Sequence, residues 1–274
     1  MRQDVDGKIV KVEFDSLREF YDYICNTPAN RVFYNSWNQS SMAQSKHRSE
    51  WTMTESFEEA SELFKRGWSE MSEKLVQRLK VEESKMEPVM VSKNTIGVQG
   101  YHPIVPLYLM GIPANMVRKE MKPAGCKVIT LNKAITYNAK VSPDTIIDES
   151  IKALMLVKKM EAQNYRCNLN LVMSNFTASK TFVVKIRLKS ANEKLNVSKL
   201  SFPLVHPSML RRLLLRFFEV HPLVPRDFRP GYGFAVSDSV VRSLTLGEYY
   251  LPPIIRKDVK KVRNLDDLEK LDQI

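Results

Sequence analysis

Strand-like and helix-like segments alternate through the second half of this 274-residue chain, and this alternation constrains its fold more than any other feature. Residues 127–137 have the alternating, β-branched composition of a strand, and Ile147, Ile151 and Leu154 follow at the spacing of one helix face. Further strand-like segments occupy 165–173, 181–189 and 247–255. Alternation of this kind predicts an α/β fold with a layered sheet in the C-terminal half and helices packed on it.

Two capping boxes mark helix starts in the N-terminal part. Each places a glutamate three positions after a serine, a pattern that satisfies free N–H groups in the first helical turn: Ser16 with Glu19, and Ser56 with Glu59. Residues 8–14 alternate like a strand before the first box, and residues 55–82 have the pattern of a helical hairpin. We therefore expect an N-terminal α+β region over residues 1–95.

The segment 96–117 is mostly apolar but contains several glycines and prolines. Residues 101–117 carry no formal charge. So many helix breakers exclude a long helix. We expect residues 96–126 to form a buried or groove-lining connector between the N-terminal region and a basic α/β domain over residues 127–274.

Positive charge is concentrated after this segment. The chain has a net charge of +11, with 16 basic and 6 acidic residues in 118–200, and 11 basic and 5 acidic residues in 206–263. Such a distribution is typical of a polyanion-binding surface, and it also suits a soluble domain rich in lysine. The candidate nucleic-acid-binding residues are Lys158, Lys159, Lys185, Arg187, Lys189, Arg211, Arg212 and Arg216.

The arginines of this set are the most distinctive group. On a helix, Arg212 and Arg216 lie one turn apart, where two guanidinium groups can bracket one phosphate. Glu219 lies on the same face and offers an internal ion pair instead. The sequence leaves both alternatives open.

No complete catalytic or metal-binding motif is present. The three cysteines and four histidines are dispersed along the sequence. The glycine spacings of phosphate-binding loops, GxGxxG and GxxxxGK(S/T), are both absent. Ser208 beside His206, and Ser237 to Ser239 around Asp238, lack the setting of a nucleophile elbow. We therefore expect a non-enzymatic protein without a metal or cofactor, and a hydrolase is the least supported alternative. Since no membrane-length apolar run or secretion signal occurs, we also expect a cytoplasmic protein without a membrane partner.

Three sequence blocks carry a family resemblance. They are Trp51 to Ala60 with Gly67-Trp68, Val105-Pro106 to Asn115-Met116, and Phe202-Pro203 to Arg211-Arg212. With these blocks the chain resembles an uncharacterised family of tailed-bacteriophage proteins, which implies an infected-cell setting and no established activity. The order of elements after residue 127 is also similar to a von Willebrand-A-like domain. Its metal-binding motif is matched here by Asn132, Ala134 and Thr136, which implies a degenerate metal site because a hard cation needs anionic oxygen ligands.

Two functions follow as hypotheses. The first is a phage-type accessory protein that binds nucleic acid through the basic α/β domain. The second is a protein-binding factor, either a virion component or an inhibitor of a host defence protein. Its contact with a host or phage protein would use the segment 96–117 and the polar loop 35–51. The candidate contact residues are Trp37, Trp51, Tyr101 and Tyr108.

Overall fold

The computed structural model of the chain describes residues 1–29, 41–42, 51–83, 90–123, 127–137, 141–177, 179–225, 234–235, 241 and 248–251. The strands are β1 (Arg2–Asp6), β2 (Ile9–Phe14), β3 (Met90–Gly97), β4 (His102–Pro103), β5 (Met116–Pro123), β6 (Lys127–Ala134), β7 (Tyr165–Phe176), β8 (Thr181–Lys189), β9 (Phe234–Ala235) and β10 (Tyr249–Leu251). The helices are α1 (Leu17–Asn26), α2 (Phe57–Arg66), α3 (Ser69–Glu83), α4 (Val105–Leu109), α5 (Pro143–Ala162), α6 (Val197–Val205) and α7 (Leu215–Val220), with a π-helical segment (Met209–Leu214) directly before α7. The predicted mixed α/β class is confirmed.

Strands from both ends of the chain meet in one mixed sheet. Its order is β1-β2-β8-β7-β6-β10, and the short β9 pairs with the end of β7. β2 runs parallel to β8, with Val12 opposite Val184, while β6 runs parallel to both β7 and β10. The predicted sheet of the C-terminal half therefore also contains the two N-terminal strands.

One hydrophobic core lies between this sheet and the helices. Val12 of β2, Leu75 of α3, Leu131 of β6 and Phe217 of α7 are fully buried in the same cluster. Residues from the predicted regions 1–95 and 127–274 therefore contribute to the same core. The cause is the β2–β8 pairing, which joins segments that are distant in the chain.

Both capping boxes form, which explains where α1 and α2 begin. The hydroxyl oxygen of Ser16 accepts from Glu19 N, and that of Ser56 accepts from Glu59 N, each over 3.1 Å. α2 ends at Gly67, whose φ of +79° favours glycine. A Cβ at Gly67 would lie 2.7 Å from the carbonyl oxygen of Ser198, so this turn also needs glycine for the close approach of α6.

The sheet face that points away from the core carries a polar ladder. Lys185 of β8 donates to Glu248 Oε1 over 2.9 Å, and Asn132 of β6 donates to Glu248 Oε2 over 2.5 Å. Asn170 of β7 donates to Asn132 Oδ1 over 2.9 Å. These bonds link three strands to the residue before β10, so the polar side chains satisfy one another. A cleft of about 280 Å³ lies over this face.

Candidate interaction surface

The smaller sheet forms an arm, by which we mean residues 90–123. Its strand order is β3-β5-β4, and α4 follows β4. β3 and β5 pair antiparallel from Met90 opposite Pro123 to Gly97 opposite Met116. The predicted exclusion of a long helix from this segment is confirmed, since α4 has only five residues.

The turn between β3 and β4 is held against β5 by main-chain and side-chain contacts. Tyr101 N donates to the Val117 carbonyl oxygen over 2.8 Å, and the Tyr101 hydroxyl donates to Asn94 Oδ1 over 3.0 Å. The Lys119 ammonium lies 6.0 Å from the centre of the Tyr101 ring. A Cβ at Gly100 would lie 2.1 Å from the Val117 carbonyl oxygen, so only glycine permits this approach.

The arm exposes an unusual amount of apolar surface. Every residue from 92 to 121 is exposed or partly exposed. Of the fifteen exposed large hydrophobic residues in the described parts of the chain, nine belong to the arm: Ile96, Val98, Tyr101, Val105, Tyr108, Leu109, Met110, Ile112 and Met121. These residues are therefore not buried, which was one of the two placements that the sequence suggested. Exposed apolar side chains concentrated in one segment are typical of an interaction site.

The tip of the arm is the most exposed part. Leu109 is 77% exposed and Met110 is 72% exposed, directly after Tyr108 at 64%. Cations flank this uncharged tip on the strands, at Lys93, Arg118 and Lys119, and Glu120 is the one acidic residue in the sequence 92–121. Glu120 Oε2 lies 3.9 Å from Arg118 Nη2. The arm thus combines an apolar tip with a cationic base.

The predicted protein-contact residues have different surroundings. Tyr101 and Tyr108 are exposed on the arm. Trp51 is partly buried, and its indole N–H donates to the Val141 carbonyl oxygen over 2.7 Å, so its polar group serves an internal contact. Trp37 lies outside the described residues. The sequence pointed to the two tyrosines as contact residues but not to Leu109 and Met110, which are more exposed. The lack of charge over residues 101–117 was the one sequence signal that could have indicated them.

Arg212 does not offer its guanidinium to a phosphate. Its side chain is 2% exposed, and it donates to the carbonyl oxygens of Ser41, Thr54 and Glu55 over 2.9, 3.3 and 2.9 Å. The expectation of a phosphate contact at Arg212 is corrected by these bonds. Arg212 instead joins the π-helical segment to the chain around residues 41 and 54.

Two more of the candidate cations make internal ion pairs. Arg216 Nη1 lies 2.9 Å from Glu219 Oε2, which is the second of the alternatives that the sequence left open. Lys189 is 2% exposed and lies 2.7 Å from Glu161 Oε1, and it also donates to the Cys167 carbonyl oxygen. Burial therefore removes Lys189 from any outer surface, which corrects its expected role. Arg211 is partly exposed.

The remaining candidates lie on opposite sides of the main sheet. Lys185 and Arg187 alternate with buried residues along β8, so they lie on the face with the polar ladder. Lys185 pairs with Glu248, and Arg187 Nη2 lies 3.3 Å from Asp15. Lys158 and Lys159 belong to α5, which packs on the other face. The eight candidate cations therefore do not form one continuous surface.

The sequence neighbours His206 and Ser208 do not have the geometry of a nucleophile and its base. The Ser208 hydroxyl donates to the Thr52 carbonyl oxygen over 2.6 Å, while Ser208 N donates to His206 Nδ1. The His206 ring stacks with Phe202, and burial lowers its pKa to about 4. Asp238, the other hydrolase candidate, lies outside the described residues.

The position of the proposed degenerate metal site holds polar contacts of a different kind. Asn132 is fully buried and bonded within the polar ladder, and Ala134 is buried beside it. Across the described ranges, no three histidine, cysteine or carboxylate side chains lie together as metal ligands would. Nor does any helix in those ranges have the length and apolarity needed to cross a membrane.

The comparison with known families identifies the chain at the level of its family. A family model described as "Domain of unknown function (DUF7192)" matches residues 2–272, so the chain belongs to this family. This match confirms the expectation of an uncharacterised family, and it extends beyond the three sequence blocks that carried the resemblance, to residues near both ends of the given sequence. Neither the curated proteins nor the solved structures contain a match to it.

Proposed function

We propose that this member of the DUF7192 family is a non-enzymatic binding protein that captures a protein partner with its arm. One observation carries the proposal: residues 92–121 include no buried residue but nine of the fifteen exposed large hydrophobics of the described chain. Because none of these side chains is buried, they contribute little to the stability of the arm. Their retention on the surface is best explained by a partner that covers them.

The composition of the arm suits a protein partner. Tyrosine and methionine are enriched at the centre of protein interfaces, where a partner excludes water. Full burial of Leu109 or Met110 contributes about 1.5–3 kcal/mol each. Because the residues 101–117 carry no formal charge, covering them leaves no charged group without water.

The experiment is a capture assay from a nuclease-treated lysate of the source cells. The wild type and the double variant Leu109→Ser/Met110→Ser serve as bait, together with Val5→Ser, whose side chain is 48% exposed on β1 outside the arm. We expect the wild type and Val5→Ser to capture the same protein and the double variant to lose it. Equal capture by all three baits would show that the arm is not the contact.

Nucleic-acid binding through residues 118–263 is the second candidate. Its support is the net charge of +11 and the exposed lysines of this region, such as Lys159 and Lys199. Phosphate contacts predict affinity for DNA or RNA that falls steeply as salt is raised. Binding that is undetectable at low salt would exclude this candidate. Either function suits a factor that acts in the cytoplasm of an infected cell, the setting that the resemblance to tailed-bacteriophage proteins implies.

A further inference from the structure

The two edges of the arm's sheet differ in how they are protected. β4 forms one edge with only two residues, of which Pro103 has no N–H. β3 forms the other edge with eight residues, and its sequence contains no proline. Within the described residues, β3 pairs with β5 alone, and the register is unbroken over eight pairs. An edge of this length without a bulge or proline is a template for pairing with another strand.

The register identifies the main-chain groups at this edge. The Val117 carbonyl oxygen accepts from Tyr101 N, on the β4 side of β5. Along an antiparallel strand, successive residues direct their N–H and C=O to alternate sides. Val117 therefore does not bond to Ile96, which lies opposite it, and the main-chain groups of Ile96 point away from β5. The same alternation directs those of Ser92 and Asn94 to the free edge.

The two faces of the β3–β5 ladder differ in chemistry. Residues directly opposite each other share a face, so Lys93, Thr95, Arg118 and Glu120 lie on one side, with Glu120 opposite Lys93. Ile96, Lys119 and Met121 lie on the other side, where the two apolar side chains are 56% and 58% exposed. A strand added beside β3 would place alternate side chains on these two faces.

From this edge we infer that the arm binds its partner by strand addition, and that the added strand is an extended segment with alternating acidic and apolar residues. The inference rests on the proposed function and names the chemistry of the partner. On one face an acidic side chain would lie beside Lys93, with Arg118 one strand further away. On the other face an apolar side chain would lie beside Ile96, with Met121 one strand further away. The main-chain groups of Ser92, Asn94 and Ile96 would supply the hydrogen bonds.

Charge favours such a partner over a second copy of the same strand. The sequence 92–121 contains Lys93, Arg118 and Lys119 against Glu120 alone, and the whole chain has a net charge of +11. Pairing β3 with β3 of another copy would bring two positive arms together, which opposes association. An acidic segment would instead be attracted to the arm.

The test uses the full chain with a short, end-blocked peptide of alternating glutamate and valine as the probe. We expect amide exchange to slow at Ser92, Asn94 and Ile96 on binding, and to stay unchanged at Lys93 and Thr95, which face β5. A matched peptide with lysine in place of glutamate should bind much more weakly. No change in exchange along β3, or equal binding of both peptides, would overturn the inference.

A pair of variants at Ser92 tests the main-chain contact. Ser92→Pro removes an N–H that faces the free edge and leaves the bonds to β5 in place, while Ser92→Ala keeps the N–H. We expect Ser92→Pro to weaken peptide binding about tenfold or more and Ser92→Ala to leave it unchanged. Equal binding by both variants, with exchange within the β3–β5 ladder intact, would contradict strand addition.

Two further measurements distinguish a failure of strand addition from a failure of the proposed capture of a protein partner. The variant Leu109→Ser/Met110→Ser should still bind the glutamate–valine peptide, since β3 is unchanged. Failure of the peptide together with arm-dependent capture from lysate would overturn strand addition alone and leave the proposed function in place. A concentration-dependent dimer in light scattering that Ser92→Pro abolishes would show that β3 pairs with a second copy, which would also overturn the inference.

Discussion

Arg212 Nη1 donates to the carbonyl oxygen of Ser41 over 2.9 Å, across 171 positions in the chain. The hydroxyl of the same serine donates to Glu219 Oε2 over 2.8 Å, and Glu219 in turn pairs with Arg216. The arginines that the sequence offered as a phosphate site thus hold the segment around residue 41 against the π-helical segment and α7. Their first role is structural.

Replacement of Arg212 by methionine should destabilise the fold by about 2–4 kcal/mol, because it removes three hydrogen bonds, among them the buried ones to the carbonyl oxygens of Ser41 and Thr54. Denaturant unfolding followed by circular dichroism measures this change. Lys159→Met, at an exposed position of α5, is the control and should change the stability by less than about 0.5 kcal/mol. Arg212→Met with wild-type stability would show that these bonds contribute little.

Two buried histidines should make the protein less stable in mild acid. Burial lowers the pKa of both His206 and His221 to about 4, from an ordinary value of 6.5. A histidine with a depressed pKa in the folded state takes up its proton preferentially in the unfolded state. Its contribution to stability is therefore complete above pH 6.5 and is lost as the pH falls towards 4, by up to about 3 kcal/mol for each residue.

Unfolding free energies measured from pH 7 down to pH 4.5 check this dependence. His206→Asn keeps an acceptor for Ser208 N but does not titrate, so it should flatten the slope by about half. A slope that is unchanged by His206→Asn would assign the acid sensitivity to other groups.

Lys133 should destabilise the protein at neutral pH. It is 2% exposed, and burial lowers its pKa to about 8 in spite of the opposing charge of Glu149. Because its unfolded-state pKa is near 10.5, the stability of the wild type should rise as the pH increases from 8 to 10.5. Lys133→Met should be more stable than the wild type at pH 7 by about 1–3 kcal/mol, and the difference should shrink above pH 8.

Thermal or urea unfolding at pH 7 and pH 10 compares the two proteins. Glu149 keeps a cation in the variant, since Lys152 Nζ lies 2.9 Å from its Oε1. A Lys133→Met protein that is less stable than the wild type at pH 7 would show that contacts of the Lys133 ammonium in the folded state outweigh the cost of burying its charge.

The tip of the arm should contribute almost nothing to folding. Leu109→Ser should change the unfolding free energy by less than about 0.5 kcal/mol, since the side chain is already in water. Leu131→Ala, at a fully buried position of β6, should cost about 2–5 kcal/mol. Similar losses for the two variants in urea unfolding would mean that the tip is covered within the protein itself.

The sequence by itself determined the local elements of this protein. The serine–glutamate pairs at Ser16 and Ser56 cap helices, Gly67 ends one, and the breakers of residues 96–117 prevent a long helix. Each of these outcomes depends on groups within about one helical turn, so a local pattern predicts it.

Only the tertiary structure decided which faces are buried. The pairing of Val12 with Val184 joins the two ends of the chain in one sheet, and the bonds of Arg212 to residues near 41 and 54 bury a charge that the sequence placed at the surface. An apolar composition likewise suggested that the segment after residue 96 is buried, whereas Leu109 is 77% exposed. Burial depends on partners that are distant in the chain, and a local pattern carries no information about them.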